Sequence, residues 1–386
     1  MTRKQRMLAA MRRQPVDFVP HTTYNIHPYL PTSHSADPSY TEILEEIRVS
    51  SGVTVKVSAI DEGPGLSGRA QGLVETREKW DSSGTTLHSV IHTPGGDLWS
   101  EKRIPNGQPA MVVKHYVSTD EDLANYMSLP YNPPAINASR IRQVYEAIGD
   151  GGVVFVPFSD PMFASASVMD FEDFCIRCAE DPESLQRLIE WNLERSLENV
   201  RLLCEACSGM DVILHTSGPE VCTPPMVSPA MFARLVTPYL TKIVDIIHQH
   251  GFLAAIHCHG RVREVFPEVL KIGADLLEPI EPPDQGNIAL HELMEKAVGR
   301  ISLMGHVQDQ EIYRMSGGEM RRWVEYLLET AAGRTGYIIS PTCTPFDSPC
   351  TETYRDNYLE YLRTAAALSP QVSAHLDSER MTVDNE

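Results

Sequence analysis

Two histidines one residue apart close an apolar run, Gly251-Phe-Leu-Ala-Ala-Ile-His-Cys-His-Gly260. In a strand alternate side chains share a face, so His257 and His259 project together while Cys258 turns the opposite way, toward the core. Two imidazoles at one strand end are a ligand pair for a transition metal. Cys343, which follows the apolar run 337–342, supplies a soft third ligand, and Glu220 is a candidate fourth that substrate could displace. Zinc accepts imidazole and thiolate tetrahedrally and keeps one position open when catalytic. Iron or copper could use the same groups, so zinc is chosen on ligand softness. Cys350 is a rival thiol, but it lies beyond the strand end in a Pro-rich loop.

Other polar residues follow the apolar runs in the same manner. Asp160, Ser217, Glu220, Glu281, His306 and Gln308 each stand within a few residues of a run's end. Any one of them alone reads as a loop or cap residue. Their recurrence suits a fold that gathers strand ends at one mouth. Glu220 and Asp160 are the candidate acids, and Tyr24, Ser217, Glu281, His306 and Gln308 the candidate substrate contacts, assigned by position. Two further patterns need no chemistry. Cys175/Cys178 and Cys204/Cys207 have the spacing of a zinc ribbon, yet both pairs fall in segments of helical period, where such thiols are small core hydrophobes. His248 and His250 sit at a helix C-terminus, which favours imidazolium.

The elements that must position these residues alternate regularly. Ser228-Pro229 caps a helix that runs to Gly251, and the strand bearing the two histidines follows. Apolar runs at 18–24, 53–57, 153–158, 211–216, 252–258, 275–280, 301–306 and 337–342 predict eight strands, mostly separated by helices. That succession predicts a closed (β/α)₈ TIM barrel. Between the second and third strands, residues 61–117 change to short alternating runs with paired glycines, predicting a β-hairpin insertion near the N-terminus. A helix spans the basic segment from Arg3, and Pro15 stops it. Residues 1–368 form one domain on this reading, and the polar segment 369–386 a loose tail.

With 386 residues, 42% of them hydrophobic, the chain can bury a large core. A net charge of −19 argues against nucleic acid or an anionic membrane surface as partner. No apolar stretch is long enough to span a bilayer, and the N-terminus lacks a signal-peptide core, so a cytoplasmic protein is expected. Eight cysteines without a dense framework are expected as thiols. A homodimer is left open.

Several segments together resemble the uroporphyrinogen decarboxylase-like superfamily. They are the opening Arg3-Lys-Gln-Arg-Met-Leu-Ala-Ala-Met-Arg-Arg-Gln-Pro-Val-Asp-Phe-Val-Pro20, Ser228-Pro229 through Pro238, the block 257–260, Gly273-Ala-Asp275 and Leu303-Met-Gly-His306. The resemblance implies a (β/α)₈ barrel. Decarboxylases of the superfamily carry an arginine-rich segment after the first strand to grip porphyrinogen carboxylates. Here that segment, His21-Thr-Thr-Tyr-Asn-Ile-His-Pro-Tyr29, has no arginine.

The corrinoid-dependent methyltransferase branch is similar in placing a His-x-Cys pair after the fifth strand and a Cys after the eighth, both on zinc. In this chain those positions are His257, His259 and Cys343, so one thiolate has become an imidazole. That change makes the metal a stronger Lewis acid and a poorer activator of thiolates. Gly218-Pro-Glu220 and Glu281-Pro-Pro-Asp-Gln-Gly286 also resemble this branch. The implied activity moves a methyl group from a small donor, such as a methoxylated aromatic, to the cobalt of a corrinoid on a separate partner protein. Methyl transfer to a thiol such as coenzyme M, decarboxylation, and a non-catalytic ligand-binding barrel are the alternatives.

Overall fold

The computed structural model describes residues 1–60, 73–106, 108, 110–345 and 347–383. The strands in chain order are β1 (Thr22–Tyr24), β2 (Gly52–Lys56), β3 (Val74–Asp81), β4 (Gly84–Thr93), β5 (Gly96–Pro105) and β6 (Met111–Lys114). They continue with β7 (Gly152–Ser159), β8 (Ile213–Ser217), β9 (Leu253–His257), β10 (Leu276–Ile280), β11 (Ser302–Val307) and β12 (Tyr337–Pro341). Eight of them pair in parallel in the order β1-β2-β7-β8-β9-β10-β11-β12. The predicted strands all appear, each within a few residues of its expected limits. Such strands read as continuous apolar runs because the barrel interior covers one face and the helices the other.

The first and last strands close the ring through one parallel bridge, His21 to Ile339, with Ile339 N donating to Pro20 O at 2.9 Å. A helix at the C-terminal end of the chain reinforces that joint. Its Tyr361 hydroxyl lies 2.7 Å from Thr22 O and 3.2 Å from Ile339 O, one acceptor on each side. This helix, Glu352–Val383, extends through most of the segment expected to be a loose tail. Ser369 is buried and its hydroxyl donates to Val19 O at 2.7 Å, so the docked part of the chain reaches at least that residue.

The insertion is a four-stranded antiparallel sheet, β3-β4-β5-β6, leaving from the C-terminal end of β2. Ile91 and Leu98 carry its one buried contact face into the main core. The first part of the predicted insertion, residues 61–72, lies outside the described residues. No helix among the described residues is long and apolar enough to cross a membrane.

Side chains pointing into the barrel separate into two levels. The lower level is apolar: Val153, Phe155, Ile213, Ala255, Leu276, Met304 and Ile338 pack together. The N-terminal helix Arg3–Met11 closes this end by inserting Met7, Leu8, Ala10 and Met11 into the same cluster. Ser302 Oγ holds it there, 2.9 Å from both Ala10 O and Met11 O. A plugged floor keeps water from the strands' N-terminal ends and leaves chemistry to the other mouth. Met11 is fully buried, so Met11→Ala should cost about 2–5 kcal/mol in chemical denaturation. A loss near zero would mean the floor contributes nothing to stability.

Candidate metal centre at the barrel mouth

One step above the apolar level the interior turns polar. The register sets Ser217 opposite His257 and Glu278 opposite His257 on neighbouring strands, with His215 one step lower opposite Ala255. Glu278 is 0% exposed. Its Oε1 accepts a very short hydrogen bond from His215 Nε2 and another from His257 Nδ1 at 2.8 Å. Lys56 Nζ stands 3.5 Å from the same oxygen and donates to the Tyr24 hydroxyl at 2.5 Å.

The charges in this group follow from their surroundings. Burial alone would protonate Glu278, but the Lys56 ammonium and the imidazoles of His257 and His215 outweigh it and hold the carboxyl well below its usual range. Burial and the nearby Lys56 push His215 down to about 4, so it is a neutral ring donating through Nε2. An ionised carboxylate only accepts, which makes Nδ1 of His257 the N–H. In the neutral ring Nε2 then carries the lone pair.

His259 repeats this arrangement one alternation further along. Its Nδ1 lies 3.2 Å from Glu281 Oε1, while Glu281 Oε2 accepts from Gly260 N at 2.6 Å. Burial works against a charged His259, but the hydrogen bond to Glu281 and the field of the surrounding glutamates raise its pKa above the usual value. Burial likewise opposes ionisation of Glu281, and His259, Gly260 N–H and Gln308 together bring it below the usual range. The two rings meet edge to face, centroids 4.6 Å apart. Each therefore has Nδ1 on a carboxylate, the orientation that metal-bound histidines show. Cys258 is fully buried in the core, as the alternation predicts.

The remaining expected residues divide. Gln308 joins the mouth: it hydrogen-bonds Glu281, and its Oε1 accepts from Thr342 Oγ1 at 3.3 Å. Tyr24 does so through Lys56. Ser217 ends β8 half-buried beside His257. Asp160 is fully buried and caps the helix Pro161–Ala166, its Oδ1 accepting from Met162 N at 2.7 Å and Phe163 N at 2.9 Å. Its Oδ2 and the Oε2 of Glu220 are buried without a hydrogen-bond partner. Burial pushes Asp160 up to about 7 against those two hydrogen bonds, and Glu220 adds to the rise.

His306 stands apart. Gly305 and His306 both have positive φ, +139° and +76°, and the His306 ring stacks on Trp323 of the outer helix Gly317–Ala331. Trp323 Nε1 donates to His306 O at 2.8 Å. The strand's irregular end gives the ring a packing partner outside the polar level.

Cys343 is half-buried just past β12, and the next residue, Thr344, donates to Tyr24 O at 3.2 Å. Burial and Asp309 raise its thiol pKa, with Lys56 opposing. Among the described residues, the group whose three ligand atoms lie within 4.8 Å of one another is His215, His257 and Glu278. His259 and Cys343 are not gathered into that group. Cys350 is held elsewhere, its N–H on Ser39 Oγ at 2.8 Å. All eight cysteines are free, and both CxxC pairs pack in or against the core.

The residues missed in the sequence are Lys56, His215 and Glu278. Each lies within an apolar run at an inward-facing position, where strand alternation alone would mark a charged or imidazole side chain as unusual. Imidazoles oriented by carboxylates suit a divalent metal: His257 and His259 each have Nδ1 on a glutamate, and Glu220 has a buried oxygen without a hydrogen-bond partner.

A parallel eight-stranded barrel with ionisable groups at the C-terminal mouth defines an enzyme-type (β/α)₈ scaffold. The sequence pattern of the family described as uroporphyrinogen decarboxylase (URO-D) matches residues 84–351, and the chain belongs to that family. Among solved structures, a methyltransferase from Methanosarcina mazei is similar at 15% identity, covering 94% of this chain and 98% of its own, with a TM-score of 0.59. A D-psicose 3-epimerase from Clostridium cellulolyticum H10 aligns at 9% identity over 60% of this chain and 84% of its own, TM-score 0.37. No curated protein matches the sequence.

The raised Asp160 pKa gives a signed expectation. Between its ordinary value of 3.8 and about 7 the folded chain keeps a proton that the unfolded chain has released, so stability falls as pH rises through that window. Asp160→Asn retains the helix cap and removes the titration. The variant's stability should lose up to about 1.4 kcal/mol of slope per pH unit there, followed by denaturation at several pH values. An unchanged slope would assign the titration to another group.

Proposed function

We propose that the chain is a corrinoid-dependent methyltransferase that takes a methyl group from a small methylated donor, such as a methoxylated aromatic. The metal is zinc, held by His257, His259 and Cys343 with Glu220 as a displaceable fourth ligand. The observation that carries this reading is the pair of neighbouring imidazoles, each backed at Nδ1 by a buried carboxylate, with Nε2 left as the free edge. Family membership and the barrel shared with a methyltransferase support it.

Bound zinc would supply Lewis acidity at the donor's leaving heteroatom. The chain's own residues do the rest. Glu278 and Glu281 fix the ring orientations, and Lys56 keeps Glu278 ionised so that it continues to accept from His257. Asp160, protonated up to about pH 7, and Glu220 are assigned as the acids for a departing oxygen, since an ether oxygen leaves poorly as an anion. Tyr24, Ser217 and Gln308 line the space for the donor. The acceptor is a corrinoid on a partner protein that docks over the mouth. Carboxylates dominate this mouth, and Lys56 is the cation paired within it, which suits a substrate with few negative charges rather than a porphyrinogen.

A second metal reading uses His215, His257 and Glu278, whose ligand atoms already lie within 4.8 Å of one another. We favour the first. His215 and Glu278 have no exposed side-chain surface and Glu278 already faces Lys56, whereas the side chains of His257 and His259 are 12% and 35% exposed. A catalytic metal needs an open position.

Metal analysis of the purified protein should find one zinc per chain. His259→Ala should reduce zinc affinity at least tenfold, and Glu278→Gln, acting behind His257, about 10–100-fold. Full zinc retention in His259→Ala together with loss in His215→Phe would move the metal to the deeper group. The activity itself is tested with reduced corrinoid protein and a panel of methoxyaromatics. Zinc-loaded protein should produce methylated corrinoid, absent in His257→Ala. Loss of methyl from methylated corrinoid only when a thiol is added would instead establish the thiol-methylating direction.

A further inference from the structure

Tyr24 ends β1 with its side chain inside the barrel. Alternation puts Thr22 and Tyr24 on one face of β1, and Thr54 and Lys56 on one face of β2. The hydroxyls of Thr22 and Thr54 meet at 3.1 Å, and Thr54 Oγ1 lies 4.0 Å from the Met304 sulfur of the apolar floor. Tyr24 and Lys56 therefore stand one step higher, at the level of His215, His257 and Glu278. In the ring order β1-β2-β7-β8-β9-β10-β11-β12, β9 is four strands from β1 in either direction. Tyr24 is thus placed across the mouth from the strand that ends in His257 and leads to His259.

The sense of its hydrogen bond is fixed by chemistry. Lys56 Nζ approaches the phenol oxygen at 2.5 Å, and an ammonium only donates, so Tyr24 is the acceptor. Its own O–H remains as a donor. Among the described residues nothing accepts from it, the other hydrogen bond of Tyr24 being the one its backbone oxygen takes from Thr344. The residue is buried, so solvent has little access to that proton. Buried donors are usually satisfied, and this one lacks a protein partner in a place where substrate would enter.

The surroundings keep that proton on the phenol. Burial and the fields of Glu278, Cys343, Glu220 and Glu281 raise the pKa of Tyr24, and the same list shows that the candidate metal-site groups surround it. Contacts of 2.5, 3.5 and 2.8 Å lead from its oxygen through Lys56 and Glu278 to His257 Nδ1. A neutral acid whose oxygen already accepts from a cation is a strengthened donor, because successive hydrogen bonds polarise one another. Groups kept un-ionised in this manner can donate to an oxygen that becomes negative during reaction.

We infer that Tyr24 is a catalytic hydrogen-bond donor to the leaving oxygen of an O-methyl donor, and that Lys56 is the positioning residue that orients and polarises its hydroxyl. The inference rests on the methyl-transfer reading above and adds the class of leaving group, an aryl oxide. As the methyl carbon bonds to the corrinoid acceptor, which supplies the electron pair, the C–O bond breaks and its pair stays on oxygen. The Tyr24 O–H meets the charge gathering there and retains its proton. The acids assigned above then protonate the freed aryl oxide. A departing tertiary amine is neutral and would gain much less from such a donor.

Tyr24→Phe keeps the ring and removes only the hydroxyl. Methyl transfer to reduced corrinoid protein is compared for zinc-loaded wild type and variant, with methoxybenzenes whose leaving phenols differ in acidity. In the variant kcat should fall about a hundredfold with KM little changed, and the loss should deepen as the leaving oxide becomes more basic. Lys56→Met should show the same leaving-group dependence, which a merely structural role would not produce. Apart from turnover, binding of para-nitrophenolate, a product-like aryl oxide followed by its absorbance, should weaken at least fivefold in Tyr24→Phe, with zinc content unchanged. An unaltered kcat, a loss equal for every leaving group, or undiminished nitrophenolate binding overturns the inference. A wild type that transfers no methyl group from any donor sinks the activity and this inference together, whereas an active wild type with an unaffected variant sinks the inference alone.

Discussion

A single buried carboxylate organises the barrel interior. Glu278 has no contact with solvent and would be neutral in an apolar tube, yet three cationic or N–H partners converge on one of its oxygens. Those partners come from β2, β8 and β9, so one anion ties together strands on opposite sides of the ring. The arrangement is costly to leave half-made, because removing the carboxylate strands an ammonium and two oriented imidazoles away from water. Its return is orientation: the ring that faces the mouth cannot rotate without giving up a charge-assisted hydrogen bond.

The strands were legible because the tube is covered on both faces, so each appeared as an unbroken apolar run with polar residues at its end. His257 and His259 were legible by alternation, and so was the inward turn of Cys258 to the core. What escaped were ionisable residues inside the runs. Lys56, His215 and Glu278 sit at inward positions, but nothing in one strand reveals that residues from three others will meet it. His306 illustrates the converse. Its place at a strand end suggested the mouth, while positive φ at Gly305 and His306 and an unforeseeable partner, Trp323, turn the ring onto the outer helix. Cys343 lies just past β12, beyond the strand ladder, where strand order carries no distance information.

The two ends of the barrel divide labour by polarity. The floor is apolar and filled by a helix from the start of the chain, so it excludes water and fixes the strands' starting points. The mouth collects the charges, and the sheet inserted after β2 rises from that side of the molecule. Such a plan lets loops at the mouth vary in chemistry without disturbing the packed layer below.

The joint between the first and last strands rests on one backbone bridge and a tyrosine hydroxyl from the final helix. Both the last stave and its fastener come from the segment after β11, so the wall can be built strand by strand while the circle is completed only when that segment docks.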